Sequence, residues 1–242
     1  MPDQNIKISV ILPAYNEKEN LLLLIPEVAD AVSGVTSDYE ILLIDDGSTD
    51  GTHEIAEGLI ARFPSLKYIR IKKSRGLSVV LAAGFEYSSG QIIVTMDSDL
   101  QYDPRDIPRL LENIDGYDMV CCHRQNRRDT LLKRISSKIA NKFRRSITKD
   151  EINDAGCIFR AFRKECLKSI ALFNGFHRFL PALFKFRGFK VIEIKVKHLP
   201  RRYGESKYNI RNRIFKGILD TLAVKWMQIR QIEYEVTDKI NI

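Results

Sequence analysis

Residues 39–52 read YEILLIDDGSTDGT: an apolar run, two aspartates, a turn rich in Gly, Ser, Thr and Asp, and a threonine that opens a helical pattern. An unbroken apolar run, without alternation of polar residues, is what a strand covered on both faces requires. The arrangement recurs on either side. Upstream, residues 6–17 read IKISVILPAYNE, and downstream, residues 91–101 read QIIVTMDSDLQ. Strands are expected at Ile6 to Leu12, Tyr39 to Ile44, Lys67 to Ile71, Gln91 to Met96 and Asp118 to Cys121. Helical patterns fall between them, at Glu17 to Val32, Thr52 to Arg62, Leu77 to Ser88 and Ile107 to Asn113. Repeated β-α-β predicts an α/β fold with a mostly parallel, doubly wound sheet flanked by helices.

After Cys122 the pattern changes. A basic helical stretch is expected at Thr130 to Arg145, then a short strand at Cys157 to Phe162, a helix at His177 to Phe186 and a strand at Lys190 to Val196. The basic loop Leu199 to Lys207 leads to an amphipathic helix from Asn209 to Arg230. One domain of 242 residues is expected, divided as a catalytic part, 1–208, and a C-terminal helix and tail, 209–242.

The net charge of +8 implies an anionic partner and does not by itself choose among nucleic acid, lipid headgroups and phosphorylated substrates. Four cysteines without a C-x-x-C pair or a histidine at zinc-finger spacing argue against thiolate–metal and redox chemistry. No stretch approaches the roughly 20 apolar residues of a membrane span. A reducing, cytoplasmic setting is the expectation.

In an open parallel sheet, ligands bind outside the carboxyl ends of the strands, near the point where strand order reverses. Three polar motifs occupy such ends: Pro13-Ala14-Tyr15-Asn16-Glu17, Asp45-Asp46-Gly47-Ser48-Thr49-Asp50 and Asp97-Ser98-Asp99-Leu100-Gln101. Acidic residues crowded on adjacent loops repel one another unless a cation or hydrogen-bond donors offset them. Asp97 and Asp99 can place two carboxylates round one hard cation, with Gln101 as a third ligand and a diphosphate filling the remaining positions. A bare D-x-D is weak, since Asp pairs also cap helices and make turns. Asp45 and Asp46 suit a nucleobase or ribose hydroxyl in preference to a mere turn, and Asp50 can cap the next helix under either reading.

The set VILPAYNE, IDDGSTDGT, MDSDLQYDP, HRFLP and RRYGESKY, in this order, resembles the family 2 glycosyltransferases of GT-A fold. Within them it is similar to the polyprenyl-phosphate glycosyltransferases, which include dolichyl-phosphate mannosyltransferases. The resemblance implies inverting transfer of a sugar from a nucleotide diphosphate donor, UDP- or GDP-linked, to a polyprenyl phosphate. It implies a nucleotide pocket lined by Pro13, Ala14, Tyr15, Glu17 and Asp46, and Mg²⁺ or Mn²⁺ held by Asp97, Asp99 and Gln101; Asp45, Asp97 and Ser98 are further candidates for nucleotide binding on the same loops. Where relatives commonly carry Asn-x-Gly before the third helix, this chain has Ser74-Arg75-Gly76.

Arg presents a planar fork suited to phosphate oxygens, and Lys adds a point charge. On the same resemblance, Arg124, Arg201, Ser206 and Lys207 are the candidates for the acceptor phosphate. Asp99, Asp154 and Arg201 are the candidate catalytic residues, with Asp154 lying near the transferred sugar. A phosphate acceptor is already ionised and needs no general base. His177 reads more readily as a cap or core-edge residue. On the last helix, Ile214, Phe215, Ile218, Leu219, Leu222, Trp226 and Ile229 share one face among basic residues, which suits either packing on the domain or a lipid interface. The expected location is therefore peripheral, at the inner face of a membrane. A nucleic-acid-binding module leaves the acidic loops without a purpose. A nucleotidyltransferase would show a Gly-rich loop where this chain has PAYNE, and a hydroxyl acceptor would demand a true base.

Overall fold

The computed structural model describes residues 6–125, 131–203 and 211–231, and within the helical stretches 131–137 and 211–215 the backbone alone. Ser206, Lys207 and the proposed boundary at 208/209 therefore lie outside the described residues.

Seven strands form one sheet: β1 (Ile8–Ala14), β2 (Tyr39–Asp45), β3 (Leu66–Arg70), β4 (Ile92–Thr95), β5 (Met119–Gln125), β6 (Arg160–Arg163) and β7 (Val191–Lys197). Their order is β3-β2-β1-β4-β6-β5-β7. Every pairing is parallel except those of β6, which runs antiparallel to both β4 and β5. The helices are α1 (Lys18–Ser33), α2 (Thr52–Ile60), α3 (Leu77–Tyr87), α4 (Ile107–Asn113), α5 (Leu131–Thr148), α6 (Leu180–Phe186) and α7 (Arg211–Ile229). The expected mostly parallel sheet with flanking helices is the observed architecture.

Alternate residues of the central strands feed two cores. Val10, Leu12, Ile41 and Leu43 pack under α1, α2 and α4, whereas Ile11, Leu42 and Ile44 face α3 and α6. Helices on both faces explain why these strands carry no polar alternation. At Gly84 of α3 an added Cβ would stand 2.5 Å from the Ile11 side chain, so α3 lies unusually close to β1.

The strand expected from Cys157 begins instead at Arg160. Cys157, Ile158 and Phe159 are buried, which gives them the apolar look of a strand, yet they sit outside the ladder. The helix expected from His177 starts as a 3-10 turn, Phe176–Arg178, before α6.

At the end of the sheet opposite the strand-end motifs, the buried Glu40 carboxylate accepts from Ser9 Oγ (2.6 Å), Ser89 N (2.6 Å), Ser89 Oγ (2.8 Å) and Lys67 Nζ (2.6 Å). Burial works against its charge, but the bonds from Lys67, Ser9 and Ser89 outweigh it and hold the carboxyl down to about 2. Its folded value lies below its unfolded one, so its stabilisation is present above the unfolded value and is lost as pH falls towards about 2. Glu40→Gln is expected to cost about 1.5–3 kcal/mol at neutral pH. Urea titrations of both proteins at pH 7 and pH 3 check this: the difference should shrink at the lower pH, and an equal difference at both would contradict it.

Helix α7 turns its apolar face outward. Ile218, Leu219, Leu222, Trp226 and Ile229 are 40–69% exposed, while Thr221 and Val224 point into the protein. On neighbouring α5, Ile139 and Phe143 are exposed as well. No helix among the described residues is long and apolar enough to cross a membrane.

Candidate active site

Strand order reverses between β1 and β4, and the three motifs meet there at the carboxyl ends of β1, β2 and β4. Local chemistry laces the first two loops together. Asn16, in the left-handed region at φ 54°, donates its N–H to Ser48 Oγ (2.8 Å), and its side-chain oxygen accepts from Thr49 N (2.8 Å). The Asp50 carboxylate accepts from Thr52 N (3.0 Å) and Lys18 N (3.3 Å), so it caps the starts of both α1 and α2. The N-cap position of α2 itself falls on Gly51. The Glu17 N–H donates to Thr52 Oγ1 (3.1 Å), and Glu17 Oε2 accepts from Asn20 (2.5 Å). Pro13 and Ala14 close β1, and Tyr15 beyond them is 37% exposed at the mouth.

Two of the expected ligand contacts are occupied from within. Asp45 has no exposed surface, and its oxygens accept from Ser48 N (2.8 Å), Ser48 Oγ (2.5 Å) and Tyr68 Oη (2.6 Å), with Arg70 Nε at 3.5 Å. Burial and the Asp45 charge push the Tyr68 phenol up, so it stays a donor. Asp46 accepts from Ser74 Oγ (2.7 Å), Arg75 N (2.7 Å) and Gly76 N (2.8 Å). The Ser74-Arg75-Gly76 departure thus gives Asp46 a set of donors that fixes the approach to α3. In this conformation both aspartates shape the loop before they can serve a ligand.

The third motif keeps its acids for other uses. Burial, then the charge of Asp99, lift the Asp97 carboxyl to about 7, against the pull of Arg124 and Arg201. Asp99 Oδ1 accepts from Gln101 N (3.2 Å), while Leu100 between them stands at φ 57°, a costly conformation for leucine. Ser98 is buried, and its hydroxyl has no hydrogen-bond partner among the described residues. One nitrogen of Arg201 reaches Asp99 Oδ2 at 2.6 Å and Gln101 Oε1 at 3.4 Å. These two oxygens therefore already converge on a single cationic group, which fits the donor set a hard divalent cation needs. Among the described residues no three His, Cys, Asp or Glu side chains gather as a metal site on their own, so a ligand's oxygens would have to complete the shell.

Beside the acids, Arg124 at the end of β5 grips Asp154 through Nε (2.7 Å) and Nη2 (2.8 Å). Glu193 of β7 holds the Asp154 loop, accepting from Asn153 N (2.8 Å), Asn153 Nδ2 (2.8 Å) and Asp154 N (3.0 Å). Sequence reasoning missed Glu193, a single acid in an ordinary strand with no local signal of its role. Behind them, the buried Arg160 donates to the carbonyls of Ala155 and His177. His177 Nδ1 pairs with Ser78 Oγ at 2.8 Å. All four cysteines are buried and unbridged.

A mostly parallel sheet interrupted by one antiparallel strand, with acid-rich loops at its switch point, is an architecture of GT-A type. The chain belongs to glycosyl transferase family 2, whose pattern it matches over residues 9–171, about two-thirds of its length. Among solved structures it is similar to glucosyl-3-phosphoglycerate synthase from Mycobacterium tuberculosis bound to Mn²⁺, UDP and phosphoglyceric acid. That match has a TM-score of 0.71 at 19% identity, over 95% of this chain and 80% of that one. The same synthase with Mn²⁺, UDP-glucose and glycerol 3-phosphate gives 0.70 at 18% identity, over 93% and 80% of the two chains. With Mg²⁺ and UDP it gives 0.69 at 19% identity, over 93% and 79%.

Proposed function

We propose that this family 2 glycosyltransferase transfers a sugar, with inversion, from a nucleotide diphosphate donor to a polyprenyl phosphate at a membrane surface. The observation that carries the acceptor side is the outward apolar face of α7. Five large apolar side chains stand exposed on a helix that also carries Lys216 and Lys225, with Arg230 just past its end. Water penalises such a surface, whereas a lipid interface accepts its apolar part and anionic headgroups attract its cations. Residues 209–242 serve on this reading as the interfacial part, and 1–208 as the catalytic part.

Asp97, Asp99 and Gln101 are the residues that would hold Mg²⁺ or Mn²⁺. When bound, the ion neutralises charge developing on the leaving nucleoside diphosphate. The similar synthase structures contain Mn²⁺ or Mg²⁺ with UDP, which supports the same use here. Pro13, Ala14, Tyr15, Glu17 and the buried Ser98 hydroxyl line the pocket for the nucleotide, and Asp45 and Asp46 hold its walls. An ionised acceptor phosphate attacks the anomeric carbon in line as the bond to the diphosphate breaks, so no side chain has to accept a proton. Asp154 acts by fixing the Arg124 guanidinium towards the site. Arg201, with Ser206 and Lys207, is assigned to the acceptor phosphate.

Trp226→Glu is expected to weaken co-sedimentation with anionic phosphatidylglycerol vesicles and to lower activity on long-chain polyprenyl phosphate by about tenfold, while sparing short, water-soluble analogues. Unchanged binding and long-chain activity would show that the helix face serves something else. Transfer to phosphoglyceric acid or glycerol 3-phosphate, with none to any polyprenyl phosphate, would replace the lipid acceptor by a small phosphorylated one.

A further inference from the structure

Two arginines face the acidic pair, and their attachments differ. Arg124 is locked to a carboxylate of its own, Asp154, by two bonds. Arg201 has as its ion partner, among the described residues, Asp99 itself, at 2.6 Å, and the same nitrogen stands 3.4 Å from Gln101 Oε1. Both side chains of this pair are largely shielded from water, Asp99 at 13% and Arg201 at 26% exposure. Those oxygens are two of the three assigned above to the divalent cation. A guanidinium and a doubly charged ion cannot occupy the same oxygens, because like charges at such spacing in a poorly solvated site repel strongly.

We infer that Arg201 is a built-in counter-cation seated where the divalent ion binds, so that ion entry and release of Arg201 from Asp99 are one exchange. The backbone provides for it. Leu199 N donates to Gln101 O at 2.9 Å, and Gln101 Nε2 donates to Leu199 O at 3.4 Å, which ties the segment after β7 to the acidic loop. Arg201 lies two residues past this tie, so its side chain can leave Asp99 without loosening the loop. Once released, its fork is available to phosphate oxygens, which couples ion binding to phosphate binding through one side chain. The ion-free enzyme thereby avoids an uncompensated pair of carboxylates.

The inference rests on the metal assignment under Proposed function, and one experiment separates the two. Mn²⁺ alone is titrated into the full chain, without nucleotide or acceptor, and free Mn²⁺ is followed by electron paramagnetic resonance. Arg201→Gln is expected to bind Mn²⁺ about tenfold more tightly than the unaltered protein, since a competing charge-assisted contact is gone. Arg202→Gln, which removes an equal charge from the exposed neighbouring position, is expected to stay within about twofold, as surface charges are screened. Equal or weaker binding by Arg201→Gln, or equal tightening by both variants, overturns the exchange and leaves the metal site standing. Absence of Mn²⁺ binding in all three folded proteins overturns the metal assignment and the exchange with it.

Discussion

Asp99→Ala is expected to lower turnover by about a thousandfold or more while leaving the thermal midpoint within a few degrees of the parent. The loss follows from removing a ligand to the cation that offsets leaving-group charge, a contribution of several kcal/mol, of which about 4 kcal/mol corresponds to a factor of a thousand. The fold should survive because Asp99 lies in a loop beyond β4, outside both cores, and its removal relieves the repulsion that adds to burial in raising Asp97. Initial rates with saturating Mg²⁺ or Mn²⁺, paired with thermal melts, check both halves. Near-normal turnover of the variant in chelator-treated buffer would remove the metal from the account.

Arg124→Met is expected to be the most destabilising of the site substitutions, by about 3–5 kcal/mol, because it removes one partner of a buried, doubly hydrogen-bonded ion pair. Asp154 is 4% exposed in this pair and Arg124 14%, so the pair is largely shielded from water. Removing both, as Arg124→Met with Asp154→Leu, should recover most of the stability, since breaking a buried ion pair costs more than replacing it whole by apolar side chains. Activity should not return with it, because the guanidinium next to the acidic pair is still missing. Urea unfolding of the three variants measures this; a single variant within about 1 kcal/mol of the parent would show that Asp154 finds another partner.

Much of the fold could be read locally. Strands covered on both faces are continuous apolar runs, and the three acid-bearing loops follow such runs directly, so β1, β2 and β4 and their motifs were visible in composition alone. What escaped was non-local. The antiparallel insertion of β6 between β4 and β5 is made by only four residues, RAFR, flanked by a buried apolar segment that imitates a longer strand. The internal satisfaction of Asp46 depends on Ser74 and on backbone donors of Arg75 and Gly76, and part of that of Asp45 on Tyr68, all more than 20 positions away. The Arg201–Asp99 pair joins residues 102 positions apart, and nothing in the spacing of either motif announces it. The outward turn of the α7 apolar face was likewise undecidable from periodicity, which reports that a face exists and not what covers it.

The central claim is that an acceptor phosphate, and not a hydroxyl, attacks the anomeric carbon once and directly. Proton and phosphorus NMR of the product formed from an α-linked nucleotide sugar and a short polyprenyl phosphate tests this. The account predicts an anomeric proton coupled to the lipid phosphorus and bearing β configuration. An α-configured product, or a sugar joined to carbon–oxygen without phosphorus coupling, would contradict it.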